Sequence, residues 1–280
     1  MNKEILIICR GGGDLATGIV HRLFRAGYQV LILETAEPAA IRRQVSFCEA
    51  VYEGTATVEG VTAERIYTAK KQAVEEVLQR GRIPLLVDPD GRSIEVLKPD
   101  VVVDAIIAKK NLGTYKEMAP LVIGIGPGFV AGEDVHLVVE SMRGHNLARI
   151  LETGSALANT GIPGNIGGYT KERVIHAAAE GYMKNLHQIG DVVRKGEKIA
   201  RIYEQMSPEG VFSGRFVSVE ATIPGVLRGL IREGYHFQKG FKIADIDPRE
   251  SEFANCFTIS DKASSIGGSV LEAVCRYVNG

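Results

Sequence analysis

The sequence has few of the features that mark membrane proteins, nucleic-acid-binding proteins or secreted disulfide-rich proteins. Its four cysteines are widely separated and form no CxxC pair, which predicts reduced, packed thiols and no zinc site. No apolar stretch approaches the roughly 18 residues that cross a bilayer. The amino terminus has no basic start and no long apolar core of a signal peptide. We therefore expect a cytoplasmic protein without a membrane partner.

Strong charge of either sign is also missing. The net charge is −1 and no run of lysines and arginines occurs. Nucleic acids and anionic surfaces normally attract clustered basic residues, so we expect no nucleic-acid partner. The 280 residues, 45% of them hydrophobic, are enough for one large domain or two ordinary ones.

Apolar strands alternate with amphipathic helices in the first part of the chain. The buried runs "EILIICR" (4–10) and "QVLILE" (29–34) flank a helix at 15–27. Residues 39–52 predict a second helix and residues 69–81 a third, followed by further apolar strands. This alternation predicts an α/β fold, with a Rossmann-like, doubly wound parallel sheet over residues 1–168.

A repeat dominates the later part of the chain. Residues 176–203 and 220–247 align without a gap at an offset of 44, with 10 of 28 positions identical. This pattern resembles the half-repeat of the barrel-sandwich hybrid of biotinyl and lipoyl carriers, and it predicts an all-β module over residues 169–250. No lysine lies between Ile199 and Gln238, so we expect no biotin or lipoate. The module is then expected to be a rigid β body that contacts the other domain or a partner.

The chain ends in a segment of helical periodicity. Ser260 is a suitable amino-terminal cap, and Ile266, Val270, Ala273 and Tyr277 fall on one stripe. We expect residues 251–280 to form a tail whose helix packs on the body of the protein.

A glycine loop follows the first strand. Gly11, Gly13 and Ala16 give the G-x-G-x-x-A pattern that places backbone N–H groups against a pyrophosphate, and Glu34 stands where a carboxylate accepts ribose hydroxyls. The loop predicts a cofactor-binding site, and its remaining candidate residues are Gly12, Asp14, Leu15 and Thr17. A structural turn stays open as the alternative, because the Asp14 carboxylate competes with a phosphate for the same N–H groups.

Two further loops lie beyond the ends of predicted strands, where ligands bind in such sheets. The first offers Lys109 and Asn111, and the second contains Gly126 and Gly128. Solvated lysines and an ordinary Gly-Pro-Gly turn are the alternatives. No histidine spacing, serine elbow or Cys-His signature identifies a catalytic residue or a metal ligand.

Several segments together resemble the YqeB family, accessory proteins of the selenium-dependent molybdenum hydroxylase system. The resemblance covers essentially the whole chain and includes "GGGDLATGIVHRL", "DAIIAKKNLGT", "GPGFVAGEDVHLVVE", "NTGIPG" and "KIADIDPR". More distantly, the family is similar to the maturation factors of xanthine dehydrogenase and carbon monoxide dehydrogenase.

The resemblance implies a function in maturing the molybdenum cofactor. The expected ligand is molybdopterin, its cytosine dinucleotide or a nucleotide such as NAD. The expected partners are the molybdenum hydroxylase apoenzyme and other cofactor-maturation proteins, and a homodimer stays open. Cys9 and Cys48 are candidate ligands for a soft metal centre, since thiolates suit one, and buried structural cysteines are the alternative. The alternative function is an NAD-dependent oxidoreductase, in which Glu34 favours NAD over NADP.

Overall fold

The computed structural model describes residues 5–159, 161, 164 and 166–280. Residues 160, 162 and 163 of the "NTGIPG" segment and Glu4 of the first predicted strand lie outside this range. The helices are α1 (Asp14–Arg25), α2 (Ala50–Glu53), α3 (Lys71–Gln79), α4 (Ser93–Leu97) and α5 (Asp261–Asn279). In this part of the chain, none of them combines the length and apolar character needed to cross a membrane.

Nineteen strands complete the regular structure of the described chain. They are β1 (Leu6–Arg10), β2 (Gln29–Glu34), β3 (Thr55–Val58), β4 (Val61–Ile66), β5 (Ile83–Val87), β6 (Val101–Asp104), β7 (Leu121–Ile125), β8 (Val130–Ala131), β9 (Leu137–Val139), β10 (Ile150–Leu151), β11 (Gly154–Ser155), β12 (Val174–His176), β13 (Gly181–Asn185), β14 (Val192–Val193), β15 (Lys198–Met206), β16 (Phe212–Glu220), β17 (Gly225–Leu230), β18 (His236–Phe237) and β19 (Lys242–Asp247).

The described residues form two compact units. The first comprises Met1–Pro38, Val45–Thr160 and Ile259–Gly280, and the second comprises Ala39–Gln44 and Gly161–Thr258.

A nine-stranded sheet is the centre of the first unit. Its order is β10-β9-β7-β6-β1-β2-β5-β4-β3. The seven inner strands are parallel, whereas β10 and β3 pair antiparallel at the two edges. The inner strands are continuous apolar runs because both faces of the sheet are covered. Helices α1 and α5 cover one face, and α3 and α4 cover the other.

The prediction of a Rossmann-like parallel domain is wrong, because the sheet is mixed. The helix predicted over residues 39–52 is also wrong. This segment contains two short 3₁₀ turns and the single-turn α2. The N–H of Phe47 donates to Thr17 Oγ1, and the N–H of Cys48 donates to the carbonyl of Gly12. These tertiary hydrogen bonds draw the backbone away from the helix that its periodicity favours.

Helices α1 and α5 approach each other closely at glycines. A Cβ added at Gly18 would lie 2.7 Å from both Cβ and the carbonyl oxygen of Ala263, and one added at Gly267 would lie 2.6 Å from the carbonyl oxygen of Gly18. Helix α5 begins as predicted after Ser260, whose hydroxyl accepts the N–H of Ala263. The terminal helix therefore forms part of the core of the first unit.

Two four-stranded antiparallel sheets form the second unit, in the orders β16-β15-β13-β18 and β12-β19-β17-β14. The short strands β14 and β18 each pair with the first strand of the other repeat. The biotinyl- and lipoyl-like barrel-sandwich assignment is wrong. The two repeats are not equivalent here, since β15 and β16, with nine residues each, form a hairpin that has no counterpart after β19.

The close approach at Gly18 gives a stability prediction. Gly18→Ala forces α1 and α5 apart, and we expect the free energy of unfolding to fall by about 1–3 kcal/mol. The matched control is Gly268→Ala on α5, where no described atom lies within 4 Å of the added Cβ. That variant should gain up to about 1 kcal/mol, because alanine favours a helix over glycine. Urea unfolding measures both, and equal changes would contradict the packing argument.

Candidate site at the carboxyl ends of the parallel strands

The first two glycines of the loop are required by the packing of the protein itself. Gly11 has a φ of +101°, and a Cβ there would lie 2.9 Å from the carbonyl oxygen of Ala105. A Cβ at Gly12 would lie 3.1 Å from the amide nitrogen of Cys48. Neighbouring backbone therefore approaches these two glycines, in the space that the sequence assigned to a ligand.

The Glu34 carboxylate binds the loop directly. Its Oε2 accepts the N–H of Gly12 at 2.8 Å, and its Oε1 accepts the N–H of Thr35 at 2.8 Å. Burial raises the pKa of Glu34, although both hydrogen bonds lower it in part. An amide that a pyrophosphate would use is thus already satisfied by a side chain of the protein.

Gly13 differs from the other two glycines. No described residue comes within 4 Å of a Cβ built there, and its backbone is extended, with a φ of −67°. No side chain caps α1 from this position. The Asp14 carboxylate accepts the adjacent N–H of Leu15 at 3.0 Å. The open part of the loop is therefore the amino terminus of α1.

Two further predicted residues of this helix face inward. Ala16 and Thr17 are buried, and the Thr17 hydroxyl donates to the carbonyl of Gly12 while accepting the N–H of Phe47. Thr17 therefore fixes the loop shape from within.

A buried ion pair stands beside the loop, at the ends of β1 and β6. Arg10 Nη1 lies 3.6 Å from Asp104 Oδ2, and both side chains are 3% exposed. Arg10 also donates to the Thr114 hydroxyl and to the carbonyls of Pro89 and Leu112. The Thr114 hydroxyl donates in turn to Asp104. These contacts join the end of β1 to the loop that follows β6.

That loop, residues 105–114, carries the predicted Lys109 and Asn111. Ile107 and Lys109 have φ values of +60° and +63°, which are strained for residues with a Cβ. The Asn111 side chain exchanges two hydrogen bonds with the backbone of Thr114, both at 2.7 Å. These hydrogen bonds fix the loop near Thr114, while Lys109 is exposed to solvent.

Gly126 and Gly128 contribute close packing. A Cβ at Gly126 would meet the Ser141 hydroxyl, and one at Gly128 would lie 2.7 Å from Cα of Lys110. The structure thus brings the three predicted loops together, through contacts of Gly11 with Ala105 and of Gly128 with Lys110.

The two thiols near the loop are buried. Burial raises the pKa of both Cys9 and Cys48, and the nearby Glu34 carboxylate raises both further. Both groups therefore pack as neutral thiols at neutral pH.

A charged group that no sequence motif marks lies beside α1. Lys262, in the first turn of α5, is close enough to Asp14 and Glu140 for their carboxylates to raise its pKa. Burial and the neighbouring Arg143 guanidinium outweigh them and lower the pKa of Lys262 overall. Arg143 itself is held by a bidentate ion pair with Asp261. The capping serine two residues earlier was the only sequence signal for this position.

No protein-family model matches the chain. Over 274 residues it is 46% identical to a protein of Escherichia coli K12 described as the uncharacterized protein YqeB. The match takes in 98% of this chain and 48% of that protein. The chain therefore spans about half the length of this curated relative.

Solved structures give weaker matches. The chain is similar to the ectoine utilization protein EutE (DoeB) of Ruegeria pomeroyi, at 11% identity and a TM-score of 0.28. It is also similar to a succinylglutamate desuccinylase from a Silicibacter species (12%, 0.26) and to an aspartoacylase family protein from Mesorhizobium loti (10%, 0.30). Each match covers 87% of this chain and 85% of the other. These values are too low to transfer a reaction.

The functional predictions are corrected at the glycine loop. The Glu34 carboxylate already accepts the Gly12 N–H that the fingerprint would give to a pyrophosphate. Molybdenum cofactor maturation and the alternative NAD-dependent oxidoreductase are wrong as interpretations of this loop, as are molybdopterin, its cytosine dinucleotide and NAD as its ligands.

The buried Glu34 carboxyl gives a pH prediction. Its pKa is raised in the folded protein, so the stability linked to its proton is full below the unfolded pKa of roughly 4.3 and is lost as the pH rises through the folded pKa. Glu34→Gln does not titrate. We expect this variant to gain stability relative to the wild type between about pH 4 and pH 7, measured by urea unfolding across that range.

Glu64 supplies a control of opposite sign. Hydrogen bonds from Arg82 and Arg80 lower the pKa of Glu64, so Glu64→Gln should lose stability relative to the wild type over the same pH rise. A Glu34→Gln difference that stays constant with pH would show that burial does not perturb this carboxyl.

The Arg10–Asp104 pair gives a third prediction. Asp104→Asn leaves the Arg10 charge buried without a counter-charge, which costs about 3–5 kcal/mol. The loop at 105–114 should loosen, and trypsin should cut after Lys109 and Lys110 faster than in the wild type. The double variant Arg10→Met/Asp104→Leu removes both charges and should be more stable than Asp104→Asn, because no unpaired charge remains. If the double variant is the less stable one, the charge-pair account is wrong.

Proposed function

We propose that this chain, which is 46% identical to YqeB over 274 residues, binds a small anion at the amino terminus of α1. The observation that carries this proposal is the open, uncapped position at Gly13. The ligand class is a molecule with a carboxylate or phosphate group, and the function proposed is binding.

The electrostatics of the described residues support an anion. The amino terminus of a 12-residue helix carries partial positive charge. Lys262 lies near the first residue of that helix and is partly buried. No described carboxylate lies within ion-pair distance of its ammonium group. The Asp14 carboxylate opposes an anion, and Lys262 offsets that charge.

The surroundings of the loop support a fixed site. Glu34, Thr17 and Cys48 hold the carbonyl and amide of Gly12, so the helix terminus is presented in one orientation. The strained loop that carries Lys109 packs against Gly11 and is held by Arg10 and Asp104. A site prepared before the ligand arrives loses less entropy on binding.

A pair of substitutions at Gly13 tests the proposal. Gly13→Asp places a carboxylate at the cap, which repels an anion and takes the same N–H groups. We expect binding of inorganic phosphate or of glutarate, measured by isothermal titration calorimetry, to weaken at least about tenfold. Gly13→Ala adds only a methyl group in open space and should change the affinity less than about threefold.

Stability separates this result from misfolding. An aspartate cap in place of glycine should stabilise α1 by roughly a few tenths of a kcal/mol, so Gly13→Asp should melt no lower than the wild type. A wild type that binds neither probe at millimolar concentration, or a Gly13→Asp variant that binds as well as Gly13→Ala, would overturn the proposed site.

A further inference from the structure

Strand β16 is an unusually long free edge. It is the outermost strand of its sheet and has nine residues. The other outermost strands of the described sheets have two to four residues. Proteins blunt long edges with proline, lysine or bulges. The stretch from Phe216 to Glu220 contains neither of those residues. Its register with β15 is irregular at both ends, beside Tyr203 and Gln205 and again between Lys198 and Ala200.

The backbone direction identifies which groups of this edge are free. The N–H of Ala221 donates to the carbonyl of Glu197, and the carbonyl of Ala221 accepts the N–H of Gly196. Ala221 therefore faces the β15 side. Because hydrogen-bonding direction alternates along an antiparallel strand, the N–H and C=O groups of Glu220, Ser218 and Phe216 point away from β15.

Two opposite charges stand near this edge. The Arg201 guanidinium lies over the Phe216 ring, 4.7 Å from its centroid, and so reaches from β15 across β16. Among the described residues Arg201 forms no ion pair with a carboxylate. In this part of the chain Glu220 forms no ion pair either, and its cross-strand neighbour on β15 is Lys198. The register places Arg201 opposite Ser218, so Arg201, Phe216, Ser218 and Glu220 share one face of the sheet. Phe216 is 46% exposed.

We propose that β16 pairs antiparallel with β16 of a second copy of this chain, about a two-fold axis through Val217. Phe216 then stands opposite Ser218 of the second copy, and each residue gives its outward N–H and C=O to the other. Glu220 of the second copy becomes a diagonal neighbour of Phe216, within reach of the Arg201 guanidinium above that ring. The two-fold symmetry gives a second, equivalent ion pair between Glu220 of the first copy and Arg201 of the second copy.

A second copy fits this edge better than an unrelated strand does. An isologous two-fold interface requires one surface that is complementary to itself. Here a single strand region supplies the free backbone donors and acceptors, the exposed aromatic ring, and one cation and one anion that lack carboxylate or basic partners. The β16-containing sheet of one copy and that of the second copy then form one continuous sheet of eight strands.

Charge exchange on the full chain tests the pairing. Sedimentation velocity should give the wild type a mass twice the 30.3 kDa of one chain. Arg201→Glu and Glu220→Arg each bring like charges together, and each should raise the dimer dissociation constant at least about tenfold. The double variant restores opposite charges and should return to within about threefold of the wild type.

Two further variants separate the edge from general effects. Ser218→Pro removes an outward N–H and leaves the pairing with β15 intact, so it should give a monomer that remains folded by circular dichroism. Arg215→Gln removes a guanidinium of the same strand that already pairs with Glu204. This variant should remain dimeric. A monomeric wild type, or a dimer that neither the charge reversals nor Ser218→Pro weakens, would overturn the proposal.

Discussion

The buried pair of Arg10 and Asp104 is the interaction on which the rest of the candidate site depends. Taking two charges out of water is costly, and such a pair often adds little net stability. Its effect here is geometric, since the Arg10 guanidinium also binds the Thr114 hydroxyl and the carbonyls of Pro89 and Leu112. One side chain at the end of β1 thereby fixes the loop after β6, including its left-handed residues Ile107 and Lys109. Without that constraint, the strained turn would have no reason to persist.

The glycines of the site have two different physical causes. Gly11 and Gly128 are glycine because backbone from another loop occupies the space of a Cβ. Gly13 has neither a close neighbour nor a left-handed backbone. A sequence pattern of three glycines cannot separate these cases, because Ala105 and Lys110 approach only in the folded chain. Of these glycines, only Gly13 at the amino terminus of α1 is therefore left as a candidate for ligand binding.

Local sequence signals predicted the buried strands and α1, α3 and α5, because apolar periodicity and capping depend on residues that are close in the sequence. They failed where distant groups decide the outcome. Residues 39–52 have helical periodicity, yet Thr17 and Gly12 bind the backbone of Phe47 and Cys48. The antiparallel pairing of β10 and β3 at the sheet edges could likewise not be predicted from local sequence. The hydrogen bond from the Gly12 N–H to Glu34 depends on a side-chain rotamer, which no sequence pattern specifies. Lys262 was missed because it comes from the other end of the chain.

The two proposed contact points share one physical cause. At Gly13 a helix begins without a side-chain cap, and along β16 a strand has outward backbone groups without a further strand beside it. Elsewhere the same problem is solved within the chain: Ser260 caps α5, and Glu34 satisfies the Gly12 amide. The contrast is informative because the fold demonstrably has the residues to close such positions. In both places polar backbone stays open beside a basic side chain, Lys262 in one case and Arg201 in the other, and we infer that the partner of this backbone lies outside the chain.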